Sequence, residues 1–371
     1  KIVKKILRYL NKAEKGDVQH YFITGEKGMG KTSLARYVQD FVQDKMVGVY
    51  ISNKGNHSLE NLVKQILEEL INSAPKDSIK SKIKNIFGDY VESIEVKGTK
   101  FNFKLDEYAS RDIVDNFLYY LNKSYEELCT EKGIFLIIDD INGLSESKEF
   151  VDWYKKFADS IEMKNYNIPL YILLAGYPEK FNNLVNQDES FSRIFHYDHI
   201  DYLNSEEINE FFQDTFDSVG IKCDEKSLEY MIAFSEGIPL MMQEIGDSVF
   251  WEVESNSVNM DYAIKGIVEA GRLIGKRQIK PVMDKSIRSK NYESILMKLG
   301  DKGVDSFKKS DFEKFLSPSE KKVFSKFLQR ATELNILESI GKDKSGEYKF
   351  SNRLYLVYFM ILNLEKEYNL N

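Results

Sequence analysis

The stretch Gly25-Glu26-Lys27-Gly28-Met29-Gly30-Lys31-Thr32 decides how the rest of the chain is read. Three glycines at this spacing let a loop curl so that its backbone N–H groups point inward, a concavity suited to an anion. A lysine and a threonine close the motif. The Lys31 ammonium would bridge the β- and γ-phosphates of a nucleoside triphosphate. The Thr32 hydroxyl would face Mg²⁺ at the amino end of a helix whose dipole also favours the anion. The context supports this. The short run His20–Thr24 precedes the loop as a strand, and Leu34, Val38, Phe41 and Val42 follow with helical spacing. The expected nucleotide-binding set is Gly25, Glu26, Lys27, Gly28, Met29, Gly30, Lys31, Thr32 and the adjoining Ser33. A plain glycine turn is the bland alternative, and the strand–loop–helix setting argues against it.

Working outward, residues 2–13 read as an amphipathic helix, with Ile2, Ile6, Leu7 and Leu10 on one side. Strands are predicted at 47–51, 134–138, 170–174 and 194–200, and helices at 32–44, 59–71, 110–129 and 150–161. Lys97-Gly98 reads as the turn of a hairpin within an insertion. Strands alternating with helices predict an α/β fold with a parallel sheet covered on both faces. The apolar strand Ile134–Ile138 ends in Asp139-Asp140, at the edge where open α/β sheets bind ligands. Asp139 would hold Mg²⁺ through water, and Asp140 would orient or deprotonate an attacking water. The alternative for Asp139 is capping of the following helix.

After residue 203 the strands give way to helices at 205–218, 225–235, 239–254 and 261–271. From 281 the pattern is helical again, then two short strands around a turn at Lys342–Gly346, then a closing helix at 352–364. The 371 residues carry a formal charge of −7, unevenly spread: 280–371 hold 18 Lys and Arg against 13 Asp and Glu, and the remainder 34 against 46. A predicted helix at 319–335 places Lys322, Lys326 and Arg330 on a side distinct from its apolar one. With Lys342 and Lys344 on the turn, these are candidate contacts to double-stranded DNA, the alternative being a solvated stripe on a domain that meets a protein.

The order of P-loop, Asp-Asp strand and Tyr171-Ile172-Leu173-Leu174-Ala175-Gly176-Tyr177-Pro178-Glu179 resembles an AAA+ ATPase. It is most similar to the branch of archaeal Cdc6/ORC-like initiators and the related STAND signalling NTPases. Gly237-Ile238-Pro239-Leu240, followed by Gln243-Glu244-Ile245-Gly246, resembles the GxP segment of that group's lid. Tyr348-Lys349-Phe350-Ser351-Asn352-Arg353-Leu354-Tyr355 resembles its winged-helix domain. The resemblance implies an ATPase core at 1–202, a helical lid at 203–280 and a winged helix at 281–371. It implies ATP or ADP with Mg²⁺ as cofactor, assembly with copies of itself, and Arg193 as an arginine finger acting on a neighbouring subunit. Two departures are plain. Ala175-Gly176 stands where the sensor-1 strand would end in Asn, Ser or Thr, and Leu240 or Met241 stands where a sensor-2 arginine would sit. The implied behaviour is slow hydrolysis, or a nucleotide-held switch.

Other classes find little support. No run of eighteen apolar residues suggests a membrane span, and the amino end lacks a secretory leader and an initiator Met, so upstream sequence is expected. Cys129 and Cys223 form no CxxC, which fits a reducing cytoplasm. His196 and His199 would point to opposite faces of a strand, which does not favour a metal site. No guanine-reading NKxD is suitably placed. A small-molecule kinase would leave the lid and tail unexplained.

Overall fold

The computed structural model describes residues 1–53, 58–73, 79–97, 100–128, 132–164, 168–287, 289–340 and 346–367. It divides into two compact units, Lys1–Asp201 and Tyr202–Asn371. The first is built on five parallel strands: β1 (Gln19–Thr24), β2 (Met46–Ser52), β3 (Gly133–Asp139), β4 (Leu170–Gly176) and β5 (His196–His199). They lie in the order β2-β3-β4-β1-β5. The two most apolar segments, β3 and β4, are buried along their whole length, as continuous apolar runs in a two-faced parallel sheet require.

Alternation along each strand feeds two cores. Tyr21, Ile23, Phe135, Ile137, Tyr171 and Leu173 pack against Ile6 and Leu10 of α1 (Ile2–Ala13) and against Ala35 and Val38 of α2 (Lys31–Phe41). Phe22, Val49, Ile51, Leu136, Ile138, Ile172 and Leu174 face the other way. They meet α3 (Leu59–Asn72) and α4 (Lys148–Lys164), whose Phe150, Trp153 and Phe157 form an aromatic layer. The insertion adds a two-stranded antiparallel sheet, Val91–Lys97 with Lys100–Leu105; Gly98 of its expected turn lies outside the described residues.

The single helix expected over 110–129 is two, Glu107–Asp115 and Phe117–Leu128. Asn116 separates them, its side-chain amide donating to the Asp112 carbonyl at 3.2 Å and to Asp112 Oδ1 at 2.9 Å. That local bonding competes with the helical ladder.

In the second unit, four helices come first: α5 (Ser205–Asp217), α6 (Glu225–Ser235), α7 (Pro239–Glu252) and α8 (Met260–Ile274). Asn204 and Glu207 form a capping box at the start of α5. The last helix does not end where the sequence suggests. A π turn at Gly275–Ile279 carries it into Lys280–Ser286, so the boundary expected at 280/281 falls inside continuous helical backbone. Gly271 and Gly275 allow this run to lie against Val357 and Tyr358 of α11, introduced below. A Cβ would fall 2.6 Å from Val357 Cγ1 at the first and 2.0 Å from Tyr358 Cγ at the second.

The rest contains α9 (Lys290–Lys302), α10 (Pro318–Glu333) and α11 (Arg353–Glu367). Its antiparallel sheet has three strands, β6 (Ser306–Lys308), β7 (Leu337–Ile340) and β8 (Glu347–Phe350), in the order β6-β8-β7, where two were expected. Among the described residues no helix is long and apolar enough to cross a membrane.

Candidate functional site

The loop after β1 has the backbone its glycines were expected to supply. Gly28 (φ 87°) and Gly30 (φ 79°) are left-handed, a conformation costly for any residue with a Cβ. Gly25 must also stay small, since a Cβ there would lie 3.3 Å from both Ile200 Cβ and the Ile200 carbonyl. Met29 is buried and anchors the loop, whereas Glu26, Lys27, Thr32 and Ser33 are exposed.

Lys31 opens α2 and folds back over the loop, donating to the Gly25 carbonyl at 2.6 Å and the Glu26 carbonyl at 3.0 Å. Its ammonium lies 4.7 Å from the centre of the Tyr177 ring. Burial pulls the Lys31 pKa down, against the opposing pull of Asp139, Glu26, Asp140 and Glu179. The ammonium thus occupies carbonyl-lined space inside the loop.

Asp139 ends β3 and is buried, yet Thr32 Oγ1 and the Tyr50 hydroxyl each donate to its Oδ2 at 2.6 Å. Burial, and then this hydrogen bond, push the Tyr50 phenol up to about 12. Two hydroxyl donors on one carboxylate oxygen make a compact acidic pole facing the amino end of α2. Its donor set is carboxylate and hydroxyl oxygen, which suits a hard cation such as Mg²⁺. Asp140 follows in a left-handed conformation (φ 59°, ψ 53°) that turns the chain back over the sheet edge. Its Oδ1 accepts from Asn142 Nδ2, and Asn142 Oδ1 accepts from the Tyr177 N–H at 3.3 Å.

The structure therefore brings Lys31, Thr32, Asp139 and Asp140 together at the carboxyl edge of β1 and β3. Arg193 is not among them. It is exposed and precedes β5, whose His196 pairs with Tyr21, so it lies beyond the amino end of β1. At about 3.3 Å per residue, a six-residue strand sets it roughly 20 Å from the phosphate loop of the same chain. Its neighbours around a cavity at that end include His20, Lys155 and Ser190.

In the second unit, Lys322 and Lys326 are exposed on α10, while Arg330 is ion-paired with Glu333 at 3.1 Å; Lys342 and Lys344 lie outside the described residues. Neither His196 nor His199 joins a metal cluster, none being present among the described residues. His196 stacks on Tyr9 at 3.8 Å, and His199 Nδ1 bonds with Thr24 Oγ1 at 3.0 Å.

Tyr50, Asn142 and Tyr177 were missed by the sequence reading. Tyr50 carries a weak signal, since it sits on the strand that pairs with the Asp139 strand. Asn142 and Tyr177 carry none that spacing alone reveals.

Comparison with known proteins places this geometry. The chain has the same fold as the Aeropyrum pernix ORC2 protein in its ADPNP–ADP complexes (TM-score 0.59, 11% identity, covering 100% of this chain and 93% of that one). It is also similar to a Walker-type ATPase of Pyrococcus abyssi (TM-score 0.57, 16% identity, 97% and 95%). A third similar structure is the Aeropyrum pernix ORC1 protein in complex with DNA (TM-score 0.53, 12% identity, 98% and 93%). At these identities the likeness speaks for the fold. No curated protein sequence matches. A family model described as an ATPase domain predominantly from Archaea matches residues 3–245, well over half of the chain. With that match, the AAA+-type sheet and the phosphate loop in place, the chain belongs to this predominantly archaeal family of ATP-binding ATPase domains.

Proposed function

We propose that the chain binds Mg-ATP in this cradle and hydrolyses it slowly, as a nucleotide-dependent switch that governs assembly or association with DNA. The observation that carries the proposal is the convergence of Thr32 and Tyr50 on buried Asp139 beside an ammonium held inside the loop. In this reading Lys31 exchanges the Gly25 and Glu26 carbonyls for β- and γ-phosphate oxygens, and the inward N–H groups of 25–32 bind the rest of the polyphosphate. Thr32 and Asp139 hold Mg²⁺, whose chemistry when bound is to draw charge from the phosphate oxygens. Asp140 orients the water. Arg193, remote from its own loop, serves a neighbouring subunit, where its charge would offset that of the transferring group.

The end of β4 offers only Ala175-Gly176, and α7 starts Pro239-Leu240-Met241, with no arginine. Missing charge stabilisation supports slow turnover. We read α9, α10 and the sheet β6–β8 as a winged helix, with Lys322, Lys326, Arg330, Lys342 and Lys344 as its phosphate contacts. The DNA-bound ORC1 neighbour supports that reading of the tail. The pairing of Arg330 with Glu333 favours a second reading, an adaptor whose tail recruits a protein while ATP serves as a structural ligand.

ATP turnover and oligomer mass, measured together with and without duplex DNA, separate the two. The switch predicts nucleotide-dependent change in mass or in salt-sensitive DNA binding. It also predicts that Arg193→Ala binds ATP normally and hydrolyses it about tenfold or more slowly. Equal turnover removes the finger role. Absence of DNA binding at low salt favours the adaptor.

A further inference from the structure

The end of β4, Ala175-Gly176, carries no polar side chain at the sheet edge, and the structure shows why none is there. A Cβ on Gly176 would lie 3.1 Å from Ile141 Cγ1, because the turn Ile141–Glu146 after β3 folds over that position. The left-handed Asp140 makes the fold-back. Within the turn, Asn142 Oδ1 lies 3.6 Å from where that Cβ would be. Ile141 thus fills that position, with the Asn142 amide beside it, both arriving from the turn after β3.

We propose that Asn142 is a positioning residue for hydrolysis, supplying from the loop after β3 the polar group that the β4 edge does not carry, and holding Asp140 and the Tyr177 loop in one register. This rests on reading the cradle as a hydrolytic ATP site. One amide does both jobs. Its NH₂ donates to Asp140 Oδ1, and its carbonyl accepts from the Tyr177 N–H at 3.3 Å. Tyr177 in turn lies under the Lys31 ammonium. A chain of contacts therefore runs from the water-orienting carboxylate through Asn142 to the lysine that meets the phosphates. An amide can donate to Asp140 and accept from an N–H at once.

The test measures ATP affinity by calorimetry and steady-state hydrolysis on the full chain with Mg²⁺. Asn142→Ala is expected to keep the ATP Kd within about twofold and to lower kcat about tenfold or more. Asn142→Asp keeps the acceptor for Tyr177 but removes the donor to Asp140 and sets a like charge beside it; it should match Asn142→Ala in rate. Asn142→Gln, which retains the amide, should recover part of the rate. Unchanged kcat in Asn142→Ala overturns the proposal while leaving the ATP site intact. A kcat that falls only in step with melting temperature, with no recovery in Asn142→Gln, assigns Asn142 to the fold and also overturns it. If the unsubstituted chain shows no hydrolysis that Lys31→Ala abolishes, the hydrolytic reading itself fails and this role falls with it.

Discussion

The residues that gather at the site divide by how their positions are encoded. Lys31 and Thr32 lie at fixed offsets from three glycines, and Asp139 at the end of an unbroken apolar run, so linear spacing announces them. Tyr50, Asn142 and Tyr177 reach the site through strand register and through a backbone reversal at Asp140, which no pattern of residue types specifies. The two hydroxyl donors on Asp139 give it a testable character. Asp139→Asn preserves shape while removing the charge a cation needs. It should leave metal-free nucleotide affinity nearly unchanged and abolish the added affinity that Mg²⁺ confers, tenfold or more at about 1.4 kcal/mol per decade. Titration with and without Mg²⁺ reads this directly; a Mg²⁺ increment that survives would remove Asp139 from the metal role.

At the level of elements, strands β3 and β4 were legible because continuous apolar runs have few other uses in a chain of this kind. Strand β6 was not, since it spans three residues of which only Phe307 is buried, too short for alternation to register. The helix break at Asn116 was equally hidden, because it depends on a side chain choosing Asp112 over solvent.

Two elements carry titratable groups with predictable consequences. His20 on β1 bonds with the Tyr154 hydroxyl at 2.8 Å, and burial, with a smaller effect of His196, lowers its pKa from 6.5 to about 4. The unfolded chain therefore takes up a proton below pH 6.5 that the folded chain refuses until about pH 4. Stability should fall as pH drops through that window, on the order of 3 kcal/mol, and His20→Gln should flatten this part of the profile in chemical denaturation.

Glu320 in α10 behaves in the opposite sense. Burial would raise its pKa, but donation from Lys298 Nζ (2.7 Å), the Ser317 N–H (2.6 Å) and Ser294 Oγ (2.7 Å) prevails and lowers it from 4.5 to about 2. Its contribution is present above pH 4.5 and lost as pH falls toward 2. Glu320→Ala leaves Lys298 and the capping N–H without their acceptor, and should cost about 2–4 kcal/mol at neutral pH, measured by denaturation.

For the molecule as a whole, the compact units divide between Asp201 and Tyr202. The finer partition of the second unit was harder to see, for a physical reason. Its GxP segment is tied to the tail: Glu236 accepts from the Arg353 N–H at 2.7 Å, and Arg353 pairs with Asp305 at 2.9 Å. Gly237 is left-handed with no room for a side chain against the Leu203 carbonyl. Helices 203–286 and the tail thus share one packed unit, and composition alone gives no sign of it. The length of β1 separates Arg193 from the loop of its own chain.

The account depends most directly on the loop at 25–32 receiving a triphosphate. Isothermal titration of the folded chain with ATP and Mg²⁺, beside Lys31→Ala, tests it. The account predicts one site per chain for the first and at least a hundredfold weaker binding for the second, about 2.7 kcal/mol or more. No heat of nucleotide binding from the unsubstituted chain, or equal binding by both proteins, would contradict it.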